Sequence, residues 1–283
     1  MIERVGIVGG GTMGAGIAQV CAQKGCQVLL YDINQTVLAN ALNQIEKRLK
    51  DLEAKGKLSA QEVEEAQKRV TGVTNLERME ACQLVIEAAP EKLEIKEEIF
   101  AQLDQICPSE TILASNTSSL SITRLASKTR HADRVAGLHF FNPAPVMKLV
   151  EVVKGLRTSE QCVEQLVQFV RRLSKEPVVC RDTPGFLVNR IARSFYNEAL
   201  KIMGEGIAEM EQIDRIMKEA GQFRMGPFEL QDLIGIDINF STTVSVHGGF
   251  FGEPRFRPHP FQERMVHSGQ LGRKTGGGYY RYS

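Results

Sequence analysis

The chain has 283 residues, enough to bury a substantial core and to divide into two domains. Apolar residues make up 42% and charged residues 24%, proportions that exclude the disordered and fibrous classes. Its 35 Lys and Arg balance 34 Asp and Glu, so no overall field draws it to nucleic acid or to an anionic membrane.

The opening MIERVGIVGG sets an acid and a base ahead of a short apolar run that breaks at glycine, which is not a signal-peptide pattern. No run of about 18 apolar residues follows, so no membrane partner is expected and a cytoplasmic location is the default. The six cysteines, Cys21, Cys26, Cys82, Cys107, Cys162 and Cys180, form no C-x-x-C pair and have no His at ligand spacing. They read as buried small hydrophobes, and no metal is expected.

Up to residue 182, short β-branched runs alternate with helical segments, the pattern of parallel strands joined by crossover helices. Strands are predicted over 4–8, 27–31, 84–88, 111–115, 135–139, 149–153 and 177–180. Between the second and third lies a charged stretch, 35–69, long enough for an antiparallel helical hairpin. Ser59-Ala60-Gln61-Glu62 predicts a capping box at the start of its second helix, and Thr158-Ser159-Glu160-Gln161 predicts another ahead of a helix over 162–173.

After Asp182 the alternation stops. Apolar residues recur at three- and four-residue spacing, as in Phe186, Ile191, Phe195 and Leu200, then Ile213, Ile216 and Met217, then Leu230, Leu233 and Ile234. A second domain over 183–283 is therefore expected to be helical, with Thr183-Pro184-Gly185 at the boundary and Pro184 suited to a first helical turn. The segment 272–282 mixes glycine, basic residues and tyrosine in a pattern that periodicity does not assign.

Gly9-Gly10-Gly11-Thr12-Met13-Gly14 is a G-x-G-x-x-G that directly follows the first strand and opens a helix. Gly9 suits the tight turn, Gly11 lets a pyrophosphate approach the backbone, and Gly14 lets helix and strand pack closely. The helix N-terminus, with Thr12 and Met13, adds free N–H groups and positive partial charge. Gly25 fits the residue after the helix. The expectation is an α/β fold: a Rossmann-like, mostly parallel sheet domain over 1–182 that binds a dinucleotide, then the all-helical domain. Asp32 ends the second strand, where an acid binds ribose hydroxyls. A 2′-phosphate there would meet the carboxylate at a cost of roughly 4 kcal/mol for unit charges about 4 Å apart at a surface-like dielectric. Ile33, Asn34 and Gln35 supply no Arg to offset that repulsion, so the cofactor is expected to be NAD rather than NADP.

Three further segments carry polar residues at strand ends: Ser115-Asn116-Thr117-Ser118-Ser119, His139-Phe140-Phe141-Asn142-Pro143, and Glu151 within its strand. Oxidising an alcohol requires a proton acceptor as hydride leaves carbon, and His is the side chain that titrates nearest neutrality. A carboxylate on the other ring nitrogen would fix its tautomer, and Glu151 is the candidate. A structural histidine and an ordinary buried acid remain open alternatives. Ser118 lacks the G-x-S-x-G context of a nucleophile and reads better as a hydroxyl hydrogen-bonded to the reacting oxygen.

With these residues in place, the chain resembles the short-chain L-3-hydroxyacyl-CoA dehydrogenases, of the bacterial 3-hydroxybutyryl-CoA dehydrogenase type. The likeness covers nearly the whole length. It is carried by the Gly9–Gly14 loop, Ala89-Pro90-Glu91, the segments 115–120, 139–143 and 148–153, Asp182-Thr183-Pro184-Gly185-Phe186-Leu187-Val188-Asn189-Arg190, Gly226-Pro227-Phe228, and Leu271-Gly272-Arg273-Lys274-Thr275-Gly276. The resemblance implies His139 as acid/base, Glu151 as its orienting partner, and Ser118 and Asn189 as donors around the substrate oxygens. It places Glu91, Lys96, Asn116 and Asn142 about the cofactor. It implies an acyl-CoA substrate, with Lys50, Lys55 and Lys57 of the hairpin as candidates for the CoA phosphates, although a solvated helix face fits each lysine equally well. A homodimer through the helical domain is a further implication. The sequence departs from the family pattern over 241–251, where Val246-His247-Gly248-Gly249-Phe250 predicts looser helix geometry. Two alternatives stay open: a related dehydrogenase acting on a free hydroxy acid or sugar acid, and a non-catalytic NAD-binding protein.

Overall fold

The β-branched runs of the first half pair edge to edge in a single sheet. A computed structural model describes residues 2–282, which divide after Asp182 into two units. In the first unit the strands are β1 (Arg4–Val8), β2 (Gln27–Tyr31), β3 (Val70–Val73), β4 (Leu84–Glu87), β5 (Ile112–Ser115), β6 (Val135–Phe140), β7 (Leu149–Lys154) and β8 (Glu176–Arg181). Their order is β3-β2-β1-β4-β5-β6-β7-β8. Neighbours from β3 to β6 pair in parallel, β7 is antiparallel to β6, and β8 is parallel to β7. Strand order reverses between β1 and β4, and in open α/β sheets the ligand crevice lies beyond the carboxyl ends of the strands at such a point.

The sheet is mostly parallel, as expected, and its central strands are buried on both faces. That is why β4 and β6 read as continuous apolar runs and not as alternating ones. The helices are α1 (Thr12–Gln23), α2 (Gln35–Ala54), α3 (Ala60–Lys68), α4 (Leu93–Ile106), α5 (Ile122–Ala126) and α6 (Glu160–Arg172). Ile7 and Leu30 from the sheet, Ile17 from α1, Leu49 from α2 and Leu166 from α6 belong to one buried cluster.

Several sequence expectations need correction. β3 is absent from the predicted strands because four residues, one of them Gly72, starting two positions after α3 give no period to read. Ser59 and Glu62 do form the capping box of α3. Thr158, however, does not cap α6: its hydroxyl donates to Val135 O and accepts from Gly155 N, and Ser159 caps the helix by accepting from Cys162 N. Cys180 is half-buried, whereas the other five cysteines are buried.

The second unit contains α7 (Val188–Gly204), α8 (Met210–Glu219), α9 (Pro227–Ile234), α10 (Ile236–Gly249) and α11 (Pro260–His267). Here α7 begins at Val188, so Pro184 lies in a preceding turn and not in a first helical turn, and Phe186 has φ 48°. The loose geometry expected at 246–250 is not observed, because α10 runs to Gly249. A Cβ at Gly249 would come within 2.7 Å of Pro184, so the glycine permits close packing.

The unassigned segment 272–282 is held by two buried carboxylates, Asp214 and Asp232, each 1% exposed. Asp232 accepts from Tyr279 N, Tyr280 N and the Tyr282 hydroxyl at 2.8–3.0 Å. Asp214 accepts from Phe228 N and Glu229 N, and so satisfies the first turn of α9 from α8; it also accepts from the Tyr280 hydroxyl at 2.8 Å. Burial raises the Asp214 carboxyl, and its three donors oppose that shift. Among the described residues, no helix is long and apolar enough to cross a membrane.

Candidate active site

The glycine loop links β1 to α1. Gly9 has φ +113°, and a Cβ on Gly14 would sit 1.8 Å from Gly9 O, so strand and helix approach as closely as the motif implies. A Cβ on Gly11 would meet nothing within 4 Å, leaving that backbone open. α2, α3, α5 and α6 are each capped by an Asn or Ser side chain. By contrast, α1 has no side-chain cap and no acid in its first turn. A buried set of strand ends with an uncapped helix N-terminus fits a pyrophosphate, so the residues present suit a dinucleotide. At the end of β2, Asp32 accepts from Gly10 N at 2.7 Å and Asn34 N at 2.8 Å, tying the acid directly to the glycine loop.

The loops after β4 and β5 are joined by a polar network. Buried Glu87 accepts from Lys96 Nζ at 2.6 Å, the Ser115 hydroxyl at 2.6 Å and Ala89 N at 2.7 Å. Burial raises its carboxyl, opposed by Lys96, Ser115 and Ala89. Lys96 also donates to Ala89 O and lies 3.4 Å from Glu91. Glu91 in turn accepts from the Thr117 hydroxyl at 2.5 Å and from Ser118 N at 2.9 Å, which fixes the main chain that carries Ser118. Asn116 accepts from Phe140 N at 2.8 Å and so binds the β5 loop to the end of β6.

In the antiparallel register, His139 stands directly opposite Glu151. Directly opposed residues of such a pair project to the same face, and His139 Nδ1 lies 2.7 Å from Glu151 Oε2, with the two side chains 5% and 0% exposed. A carboxylate at Nδ1 holds the proton there in the neutral ring and leaves the lone pair on Nε2. The Phe141 ring packs at 4.5 Å between centroids against the imidazole. Asn142 follows, exposed, in a cis peptide bond to Pro143.

The remaining anticipated residues lie on helices and in the turn of the hairpin. Lys50 pairs with Glu46 at 2.6 Å on the surface of α2, while Lys55 and Lys57 are exposed in the hairpin turn. Asn189 belongs to the second unit, in the first turn of α7, where its carbonyl accepts from Arg193 Nε at 3.2 Å. Sequence reasoning missed Glu87, which anchors Lys96 and Ser115. Its only signal is an acid ending the apolar run Leu84-Val85-Ile86.

The profile of the 3-hydroxyacyl-CoA dehydrogenase NAD binding domain matches residues 4–183, and that of the 3-hydroxyacyl-CoA dehydrogenase C-terminal domain matches 185–282. The chain belongs to the 3-hydroxyacyl-CoA dehydrogenase family. Within the family it is 50% identical over 279 residues to the 3-hydroxyadipyl-CoA dehydrogenase of Escherichia coli, covering 99% of this chain and 59% of that protein. It is 42% identical over 281 residues to a probable 3-hydroxybutyryl-CoA dehydrogenase of Bacillus subtilis, covering 99% of this chain and 98% of that one. The solved (S)-3-hydroxybutyryl-CoA dehydrogenase of Ralstonia eutropha superposes with a TM-score of 0.96 at 42% identity, each chain covered completely. The first unit is therefore the NAD-binding domain of this dehydrogenase family.

Proposed function

We propose that the protein catalyses the reversible NAD-dependent oxidation of (S)-3-hydroxyacyl-CoA to 3-oxoacyl-CoA, with a four-carbon acyl chain as the leading substrate. The observation that carries this reading is the buried His139–Glu151 pair, on β6 and β7 of the same sheet whose strand β1 leads into the dinucleotide loop. When bound, NAD supplies the hydride acceptor for oxidation, and its reduced form the donor for reduction. Gly9, Gly11, Thr12, Met13 and Gly14 would hold its pyrophosphate and Asp32 its adenosine ribose, with Glu91, Lys96, Asn116 and Asn142 around the nicotinamide end. Since Lys96 is buried against Glu87, it acts there by steadying Glu91.

In the oxidative direction, His139 Nε2 takes the substrate hydroxyl proton, and the Glu151 carboxylate stabilises the imidazolium that results. In reduction the same nitrogen returns the proton to the carbonyl oxygen. Ser118 and Asn189 donate hydrogen bonds to the substrate oxygens. Lys50, Lys55 and Lys57 are assigned to the CoA phosphates by their place in the hairpin. An acyl-CoA is the only partner class proposed besides a second copy of the chain, with no nucleic acid or membrane partner, and the protein is placed in the cytoplasm. Exposed Ile191, Ile216, Leu233, Ile234, Ile238 and Val244 on α7 to α10 support a homodimer through the helical unit. Sedimentation at micromolar concentration tests that assignment.

Following NADH absorbance with acetoacetyl-CoA, 3-oxoadipyl-CoA and free acetoacetate tests the activity. The proposal expects turnover with the thioesters and little with the free acid. Turnover on free acetoacetate alone would move the protein to the hydroxy-acid reading. Tight NADH binding without turnover on any of them would leave a non-catalytic binder.

A further inference from the structure

The α6–β8 connection carries a buried cation that the chemistry above does not use. Ser174 has φ +56° and follows the last turn of α6, with Lys175 N bonded to Val170 O and Ser174 N to Arg171 O. These are the two bonds of a Schellman motif, a rigid helix terminus, and β8 begins at the next residue, where Glu176 N bonds Lys148 O. Lys175 is 7% exposed, and its Nζ donates to Ala144 O at 2.7 Å and to Met147 O at 2.6 Å. Among the described residues it has no carboxylate within ion-pair distance, and its Nζ is held by these two main-chain carbonyls. Burial lowers the ammonium from its ordinary value, with Cys21 of α1 opposing that and Lys24 reinforcing it.

Those carbonyls belong to the loop between β6 and β7, the segment that begins with Phe141 and Asn142 and joins the His139 strand to the Glu151 strand. On its other side, the loop lies against the dinucleotide helix: a Cβ on Gly16 of α1 would meet Ala144 Cβ at 3.2 Å and Pro145 Cδ at 3.3 Å. A desolvated ammonium without a counter-ion is costly to maintain. Its persistence here is accounted for by two convergent backbone acceptors, of which the one on buried Ala144 would otherwise lack a donor.

We infer that Lys175 is a positioning residue for the proposed reaction, clasping the 143–147 loop onto α1 so that Phe141 and Asn142 are held beside the His139–Glu151 pair. The inference rests on the dehydrogenase reading for its kinetic consequence, but its geometry can be tested without turnover. With the ammonium gone, the loop loses both donors. The β6–β7 ladder from Gly137 to Phe140 still holds the dyad's backbone, so the damage falls on the ring packing against His139 and on Asn142.

The test compares wild type, Lys175→Met, Lys175→Arg and Gly16→Ala. Hydrogen exchange of the 144–149 amides in the cofactor-free protein should speed up by about tenfold or more in Lys175→Met and stay near wild type in Lys175→Arg. In assays with acetoacetyl-CoA and NADH, kcat of Lys175→Met should fall by about tenfold, with KM for the thioester moving less than about threefold and Lys175→Arg recovering most of the loss. Gly16→Ala, which favours the helix but crowds Ala144 and Pro145, should lower kcat without lowering the melting temperature. Activity that merely tracks stability across the four proteins, or unchanged loop exchange in Lys175→Met, overturns the inference. Absence of wild-type turnover together with the predicted exchange pattern overturns the dehydrogenase reading and leaves the clasp standing.

Discussion

Lys96 Nζ lies 2.6 Å from Glu87 Oε1, with the two side chains 1% and 0% exposed, and 3.4 Å from Glu91, which accepts from Ser118 N. A buried pair of this kind is costly to break from one side, because the remaining charge is stranded, and the usual penalty is about 3–5 kcal/mol.

Glu87→Gln should therefore lower the unfolding free energy by about 3 kcal/mol, and the Glu87→Gln/Lys96→Met double variant should recover part of that loss. Urea titration of the single and double variants measures the coupling. Strict additivity would show that the pair is not a unit.

Asp32 accepts from Gly10 N and is also the acid proposed to hold the adenosine ribose. The wild type should favour NADH over NADPH by about three orders of magnitude in kcat/KM, in line with the like-charge cost estimated for a 2′-phosphate. Asp32→Ala should narrow that preference and also weaken NADH binding, because the glycine loop loses an acceptor. Comparable efficiency with both cofactors in the wild type would refute the assignment.

Asp104 on α4 gives a pH prediction. Burial pushes its carboxyl up, but the Arg130 main-chain N–H, the Arg130 guanidinium and the Arg134 guanidinium outweigh burial and hold it at about 2. A depressed folded value means stability that is fully present above the unfolded carboxyl range and is lost as pH falls toward 2. Asp104→Asn should cost about 2 kcal/mol at pH 7 and progressively less below pH ~4. Denaturant midpoints at pH 7 and near pH 3 measure the difference, and an equal loss at both would contradict it.

The C-terminal segment should depend on its phenols. Tyr280→Phe removes one of three donors to buried Asp214 and should cost about 1–2 kcal/mol. Thermal unfolding read by circular dichroism tests this, with a shift near zero as the contrary result.

Much of the first unit was legible because its elements are locally consistent. β1 and β2 are compact apolar runs punctuated by Gly9 and Gly25, and the structure places both strands where the pattern does. The capping box at Ser59 is likewise a local device. What stayed hidden depends on partners distant in sequence. Glu87 is an unremarkable strand-end acid until Lys96 and Ser115 reach it. Lys175 follows a helix end that lacks the usual glycine, since Ser174 takes the left-handed position. Asp214 and Asp232 look like ordinary helical acids until the tyrosines of the tail fold back on them. The opposition of His139 and Glu151 required knowing that β7 turns antiparallel, which neither strand's residues reveal.

The central claim is that one imidazole carries the proton. The direct measurement is kcat for NADH-dependent reduction of acetoacetyl-CoA by His139→Gln, alongside NADH affinity from nicotinamide fluorescence. The account predicts a loss of ~10²–10⁴-fold in kcat with NADH affinity essentially retained. Turnover like that of the wild type, in a variant that folds and binds NADH, would contradict it.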